Sequence, residues 1–140
     1  MRLWHEKLIP HLPRQQLLCQ HRECCSLRGN SWGRKHATVD YVFTHPYEWL
    51  VVYHYKVISE MRKRGYSIDS KWVRVNYKGK KIGFVTDESI SVNQFTIKML
   101  SSSYNKQPVY PEHNDDYLKE CLNNLERKGI HIEMRDLHAD

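Results

Sequence analysis

At 140 residues the chain has the size of one domain and can bury a core without disulfide staples. Apolar residues make up 40%, with no run near the roughly 18 that cross a bilayer, so no membrane partner is expected. Residues 1–111 hold 18 Lys/Arg against 8 Asp/Glu and residues 112–140 hold 4 against 8; a basic body with an acidic end favours a polyanion, most often nucleic acid.

Residues 1–12 carry Leu3, Trp4, Leu8, Ile9 and Leu12 and are too apolar for a free tail, so the amino terminus should pack onto the fold. Trp4-His5-Glu6-Lys7 interrupts any signal-peptide pattern, and four cysteines with Cys24 and Cys25 adjacent do not form a secreted framework. A cytoplasmic protein with reduced thiols is expected. Methionine is normally trimmed only before small residues, so Arg2 should leave Met1 in place. Its α-amine, with a reference pKa near 7.7–8.0 against about 10.4 for Lys, is partly an unprotonated nucleophile at neutral pH.

The first helix should start after Pro13 and stop at Gly29, a glycine suited to a left-handed stop. At about 100° per residue, Leu17, Leu18, His21, Cys24 and Cys25 share the arc expected to face the core. Arg22 and Glu23 fall on the other side with Gln15, Cys19 and Ser26. A lone carboxylate among neutral and cationic neighbours near a free amine is a candidate catalytic group; the plain alternative is a solvated Arg-Glu pair.

A basic loop follows, in which Arg28, Arg34 and Lys35 can reach phosphates and Trp32 can stack, or the segment is a simple connector around a buried Trp. Residues 37–43 read as an extended link or a turn of helix. A second helix opens at His45-Pro46 and closes at Gly65, with Leu50, Val51, His54, Val57, Ile58 and Met61 as a core stripe. His54 there reads as a satisfied core histidine. Residues 66–112 read as a hairpin around Lys78-Gly79 or as an irregular basic loop, with Lys78, Lys80 and Lys81 as a second phosphate-contacting patch. Ser89 to Ser103 can hold a short helix or strand.

A third helix should run from an Asn114 cap to Lys128, with Leu118, Cys121, Leu122 and Leu125 as its seam. Its ending, Leu-Glu-Arg-Lys-Gly-Ile-His-Ile132, echoes Met-Arg-Lys-Arg-Gly-Tyr-Ser-Ile68; both read as a basic last turn stopped by glycine. The reading is a mainly α, compact single domain over residues 1–132, about three main helices with long irregular connections, and a polar tail at 133–140.

Met-Arg-Leu-Trp at the start, Gln-Leu-Leu-Cys-Gln-His-Arg-Glu ending at Glu23, the basic loop ending in His36-Ala-Thr-Val and Met-Arg-Lys-Arg-Gly-Tyr-Ser-Ile68 together resemble the pyrimidine-dimer DNA glycosylases, the phage endonuclease V family. The likeness is good over residues 1–68, loose beyond, and closer to a bacterial branch than to the phage enzyme. It implies three helices side by side, with the amino terminus between the first two. It also implies a DNA repair glycosylase with AP-lyase activity: a terminal amine attacks C1′ of a damaged nucleotide, a pyrimidine dimer or related lesion, and a glutamate on the first helix assists. Met1 would supply the amine and Glu23 the carboxylate, with Arg2 and Arg22 beside them. The resemblance implies no metal and no cofactor, and a partner that is double-stranded DNA with a damaged or abasic nucleotide, bound by a monomer in the nucleoid.

The chain departs from the family pattern in three places. Met1 stands where the family presents a threonine amine. Ser26 stands where the family has an arginine three places after the glutamate, which leaves Arg28 for that role. The acidic tail lacks the family's aromatic-rich ending.

Two other readings compete with this one. Cys19, His21, Cys24 and Cys25 are soft metal ligands, but Cys19 points about 160° from His21 on one helix, so the four do not converge on one ion. A non-catalytic nucleic-acid-binding module would use the same basic surface without needing Glu23.

Overall fold

The computed structural model describes residues 2–29, 39–85 and 108–137. In chain order these form a 3-10 turn Glu6–His11, helix α1 (Arg14–Arg28), a short helix α2 (Asp40–Thr44), helix α3 (Tyr47–Lys63), a 3-10 turn Ser70–Val73, helix α4 (Asp115–Arg127) and a 3-10 turn Met134–Leu137. Among the described residues there is no strand, only an isolated antiparallel bridge between Tyr77 and Phe84. The mainly α expectation holds; of residues 37–43, left open by the sequence, 40–43 fall in α2, and 37 and 38 lie outside the described residues.

One apolar cluster organises these pieces. Leu3, Leu8 and Leu12 come from the start of the chain, Leu17, Cys24 and Leu27 from α1, Leu50, Val51, Tyr53 and Val57 from α3, and Leu118, Cys121 and Leu125 from α4. Each fully buried leucine contributes on the order of 1.5–3 kcal/mol. Helix α1 packs directly on α3. The end of α3 is fastened to the start of the chain by Arg64, whose Nη1 donates to the Leu12 carbonyl at 2.8 Å and whose Nη2 donates to that of Pro10 at 3.1 Å.

The two echoing sequence endings are the same helix stop. Gly65 (φ 92°) follows α3 and Gly129 (φ 80°) follows α4, each in the left-handed region that favours glycine. The Tyr66 N–H then returns to the Met61 carbonyl at 3.0 Å and the Ile130 N–H to that of Leu125 at 2.9 Å.

Gly29 stops α1 differently from the expected left-handed turn, with φ −105°. The glycine is required by proximity instead: a Cβ there would meet the Lys78 carbonyl oxygen at 2.7 Å. Asn114 caps α4 as expected, its side chain accepting from the Tyr117 N–H at 2.9 Å. The segment read as a polar tail forms a 3-10 turn whose Leu137 packs against the core. Residues 89–103, where a short helix or strand was expected, lie outside the described residues.

Candidate active site

Residues 2–4 are held between three helices by their backbone. The Trp4 N–H donates to Gln20 Oε1 of α1 at 2.7 Å, the Tyr53 hydroxyl of α3 bonds the Trp4 carbonyl, and the Tyr117 hydroxyl of α4 bonds that of Leu3. Leu3 and Trp4 are buried beneath them. The start of the chain therefore lies against both long helices, because its apolar residues drive it inward and the Trp4 N–H and the carbonyls of Arg2, Leu3 and Trp4 find partners there.

Glu23 sits on α1 at the edge of this clamp and is half-buried. Gln20 Nε2 donates to Glu23 Oε2 at 3.1 Å and to the Arg2 carbonyl at 2.9 Å. Burial pushes the Glu23 carboxyl above its ordinary pKa, while the charge of the amino terminus, a backbone hydrogen bond from Arg2, the Arg22 charge and the Gln20 amide pull it back. Met1 lies outside the described residues; of the amino-terminal segment, the Glu23 carboxylate meets the backbone of Arg2.

The helix face differs from the expected arc. Leu17, Gln20, Cys24, Leu27 and Arg28 are the buried side chains of α1, while Leu18, His21 and Cys25 are half-buried. The arc is rotated because the amino-terminal residues cover the Gln20 side of the helix. Apolarity alone could not reveal that cover, and Gln20 itself was missed. Its one sequence signal is its place three residues before Glu23, on the same helical face.

The residues expected to meet DNA divide into three groups. Arg2 is half-buried, its Nη1 3.5 Å from Glu120 Oε2 of α4 and its guanidinium 5.7 Å from the Tyr117 ring centroid. Arg22 is exposed beside Glu23, its Nη2 donating to Cys19 Sγ at 3.2 Å. Lys80 and Lys81 are exposed on the turn beyond α1, and the Lys78 ammonium lies 4.5 Å from the Tyr47 ring centroid. With Cys25, Ser26, Gly29 and Trp72 this turn lines a shallow notch. Ser26 is one helical turn beyond Glu23, so the basic turn adjoins the carboxylate's face of α1. Arg34 and Lys35 lie outside the described residues, as does Trp32.

Arg28 is a correction. It is fully buried and cannot touch a phosphate or stand in for the arginine that Ser26 replaces. Its five N–H groups are all used inside: Nε on the Tyr47 hydroxyl at 3.2 Å, Nη1 on His54 Nδ1 at 3.0 Å and the Trp72 carbonyl at 2.8 Å, Nη2 on the carbonyls of Arg74 at 2.7 Å and Tyr77 at 3.1 Å. It is a staple that ties residues 72–77 to the end of α1, and so positions the basic turn.

A family model for pyrimidine dimer DNA glycosylases matches residues 1–74. The chain belongs to that family. The matched stretch contains the amino-terminal segment, all of α1 with Glu23, and α3 with Tyr53; Tyr117 of α4 and the turn with Lys80 and Lys81 lie beyond it. Comparisons with curated proteins and with solved structures give no match. Membership in a DNA glycosylase family implies a DNA substrate, and no helix among the described residues is long and apolar enough to cross a membrane.

In this glycosylase a Cys/His cluster does form, through a residue the helix-1 argument left out. His54 of α3 joins His21 and Cys25, the three offering ligand atoms within 4.8 Å of one another. His21 Nδ1 and His54 Nε2 are 2.9 Å apart, and Cys25 Sγ is 3.9 Å from each. Those spacings approach the ~3.3 Å and ~3.6 Å edges of a tetrahedron built from Zn–N and Zn–S bonds. The protons oppose it. Arg28 can only donate to His54 Nδ1, so neutral His54 carries its proton on Nε2 and gives it to His21 Nδ1. Burial, then the Arg28 and His21 charges, hold His54 well below its ordinary pKa, and burial pushes the Cys25 thiol up to about 12. The cluster is a hydrogen-bonded part of the core, and His54 is the satisfied histidine expected.

Proposed function

We propose that this protein is a bifunctional DNA glycosylase and AP lyase acting through its amino-terminal amine. The observation that carries the reading is the pairing of the clamped amino terminus with Glu23, the Arg2 carbonyl and the Glu23 carboxylate sharing the Gln20 amide nitrogen. The amine of Met1, unprotonated, attacks C1′ of the damaged nucleotide; the bond from C1′ to the base breaks and the base leaves with the bond's electrons. The nitrogen gives up a proton, the C1′–O4′ bond breaks and O4′ takes a proton, leaving a protonated imine between C1′ and the amine. Loss of a C2′ proton then expels the 3′ phosphate and cuts the strand. Glu23, ionised, balances positive charge as the base departs and takes up the proton.

The basic turn with Lys80 and Lys81, together with Arg22, supports backbone contact to a double-stranded DNA whose damaged nucleotide is turned out to expose C1′. The substrate class is a pyrimidine dimer, or the abasic site left after base loss, met by a monomer in the nucleoid. No metal or cofactor takes part in these steps.

The test is borohydride reduction with DNA carrying a dimer or an abasic site. A covalent adduct mapping to residue 1, absent after acetylation of the amino terminus, is expected. DNA binding without any adduct would replace this reading with that of a non-catalytic binding module.

A further inference from the structure

We infer that Gln20 is the positioning residue of this site: its side-chain amide fixes the Glu23 carboxylate against the backbone carbonyl of Arg2. The inference rests on the proposed function for what Glu23 does, and on geometry for how it is held.

Gln20 is completely buried, and burying an amide is costly unless it is fully paired. Here it is. Oε1 accepts from the Trp4 N–H at 2.7 Å and contacts the Tyr53 hydroxyl at 3.0 Å. The two Nε2 protons go to the Arg2 carbonyl at 2.9 Å and to Glu23 Oε2 at 3.1 Å. Exchanging the amide's oxygen and nitrogen would set donor against donor at Trp4 and acceptor against acceptor at Arg2, so the network admits one orientation. An apolar side chain of the same size would serve packing alone.

The consequence is geometric. Two oxygens bonded to one nitrogen through protons ~120° apart sit roughly 5 Å from each other. The carboxylate and the carbonyl of residue 2 are held at that spacing, and the α-amine lies one residue away. Rotation of the Glu23 side chain toward solvent would break a bond inside a closed network, so the carboxylate stays beside the Arg2 carbonyl. The charges acting on Glu23 are the amino terminus and Arg22 on its own helix; Arg2 reaches it through its backbone, its guanidinium lying against Glu120 of α4, and Tyr53 of α3 meets Gln20 itself.

Two measurements on the full chain test this. In the wild type, NMR should show a Gln20 side-chain amide proton shifting with the titration of the Glu23 carboxyl, and Glu23→Gln should abolish that shift. A Gln20 amide that does not follow Glu23 overturns the inference. The second measurement uses Gln20→Glu, which keeps the acceptor for Trp4 and Tyr53 but turns an acceptor toward Glu23. Two carboxyls sharing one proton should move the acidic limb of single-turnover base release up by about one pH unit or more. A limb that coincides with wild type, or a uniform loss at every pH, also overturns it. The NMR readout involves no catalysis. Wild type that gives no borohydride adduct therefore removes the proposed function, while a missing amide titration with the adduct intact removes only the role of Gln20.

Discussion

Arg28→Met should loosen the connection between α1 and residues 72–77 and cost stability, without deleting a phosphate contact of its own. Five acceptors lose their donor: the carbonyls of Trp72, Arg74 and Tyr77, the Tyr47 hydroxyl and His54 Nδ1. Each buried acceptor left unpaired costs roughly 1–3 kcal/mol, and relief from burying a guanidinium offsets part of the sum. A net loss of about 3–5 kcal/mol is expected, the range for breaking a buried charged network. For 140 residues, at ~2.1 cal/mol/K per residue, that lowers Tm by roughly 10–17 °C. Arg28→Lys should recover little, because three donors on a flexible stem cannot meet five acceptors arranged around a planar fork. The assay is thermal and urea denaturation by circular dichroism, run beside DNA binding across a salt series. Were Arg28 a phosphate contact, the variant would melt like wild type, and its slope of log affinity against log salt would flatten by about 0.9. That pair of results would refute the buried-staple argument.

The exposed lysines should give the opposite pattern: Lys80→Gln with Lys81→Gln should flatten the salt slope by about 1.8 and leave Tm unchanged, and an unaltered slope would remove this turn from the DNA surface. Glu23→Gln should lose at least ~10² in base release while gaining stability at pH 7. The sign follows from the raised carboxyl: the folded state holds its proton more tightly than the unfolded one, so wild-type stability falls as pH rises from the ordinary carboxylate range through the folded-state value. Denaturation at pH 4 and pH 7 should show the advantage of the glutamine only at the higher pH. Cys24→Ala with Cys25→Ala should cost about 1–2 kcal/mol and spare the chemical step, since Cys24 is fully buried and the Cys25 thiol stays protonated at neutral pH; a folded, DNA-binding double mutant without single-turnover cleavage would overturn this.

The helices were legible because their signals are local. The α3 stripe from Leu50 to Met61 follows the 3.6 period, and the Asn114 cap and the glycines at 65 and 129 mark ends through chemistry that acts within five residues. Residues 66–85 were not legible for the converse reason. Their own pairing is short, the Lys78 N–H meeting the Gly83 carbonyl and the Val85 N–H that of Asn76 across one bridge, while the carbonyls of Trp72, Arg74 and Tyr77 are held by the distant Arg28, and no periodicity records a bond that spans more than forty residues. The same distance misled the reading of Arg28: beside a glycine in a basic loop it looks like a surface charge, and only the carbonyls of residues 72–77 turn it inward.

The groups proposed to react stand out in the sequence, and the side chain that holds Glu23 does not. Glu23 stands out in sequence as a carboxylate near a free amine among cations, whereas Gln20 is one neutral amide among several, its importance conferred by Trp4, Arg2 and Tyr53 arriving from elsewhere. A hydrophobic pattern registers what leaves water for want of polarity; Gln20 and Arg28 leave it with every donor matched, which the pattern scores as exposure. Both lie on α1 and both satisfy backbone from other segments, Gln20 at the amino terminus and Arg28 at residues 72–77. Between them they fix two places along the same helix: the Glu23 carboxylate beside the Arg2 carbonyl, and the basic turn beyond residues 72–77. In the proposed mechanism the first place holds the chemistry and the second the DNA contact, and a change at either buried side chain should disturb one without moving the other.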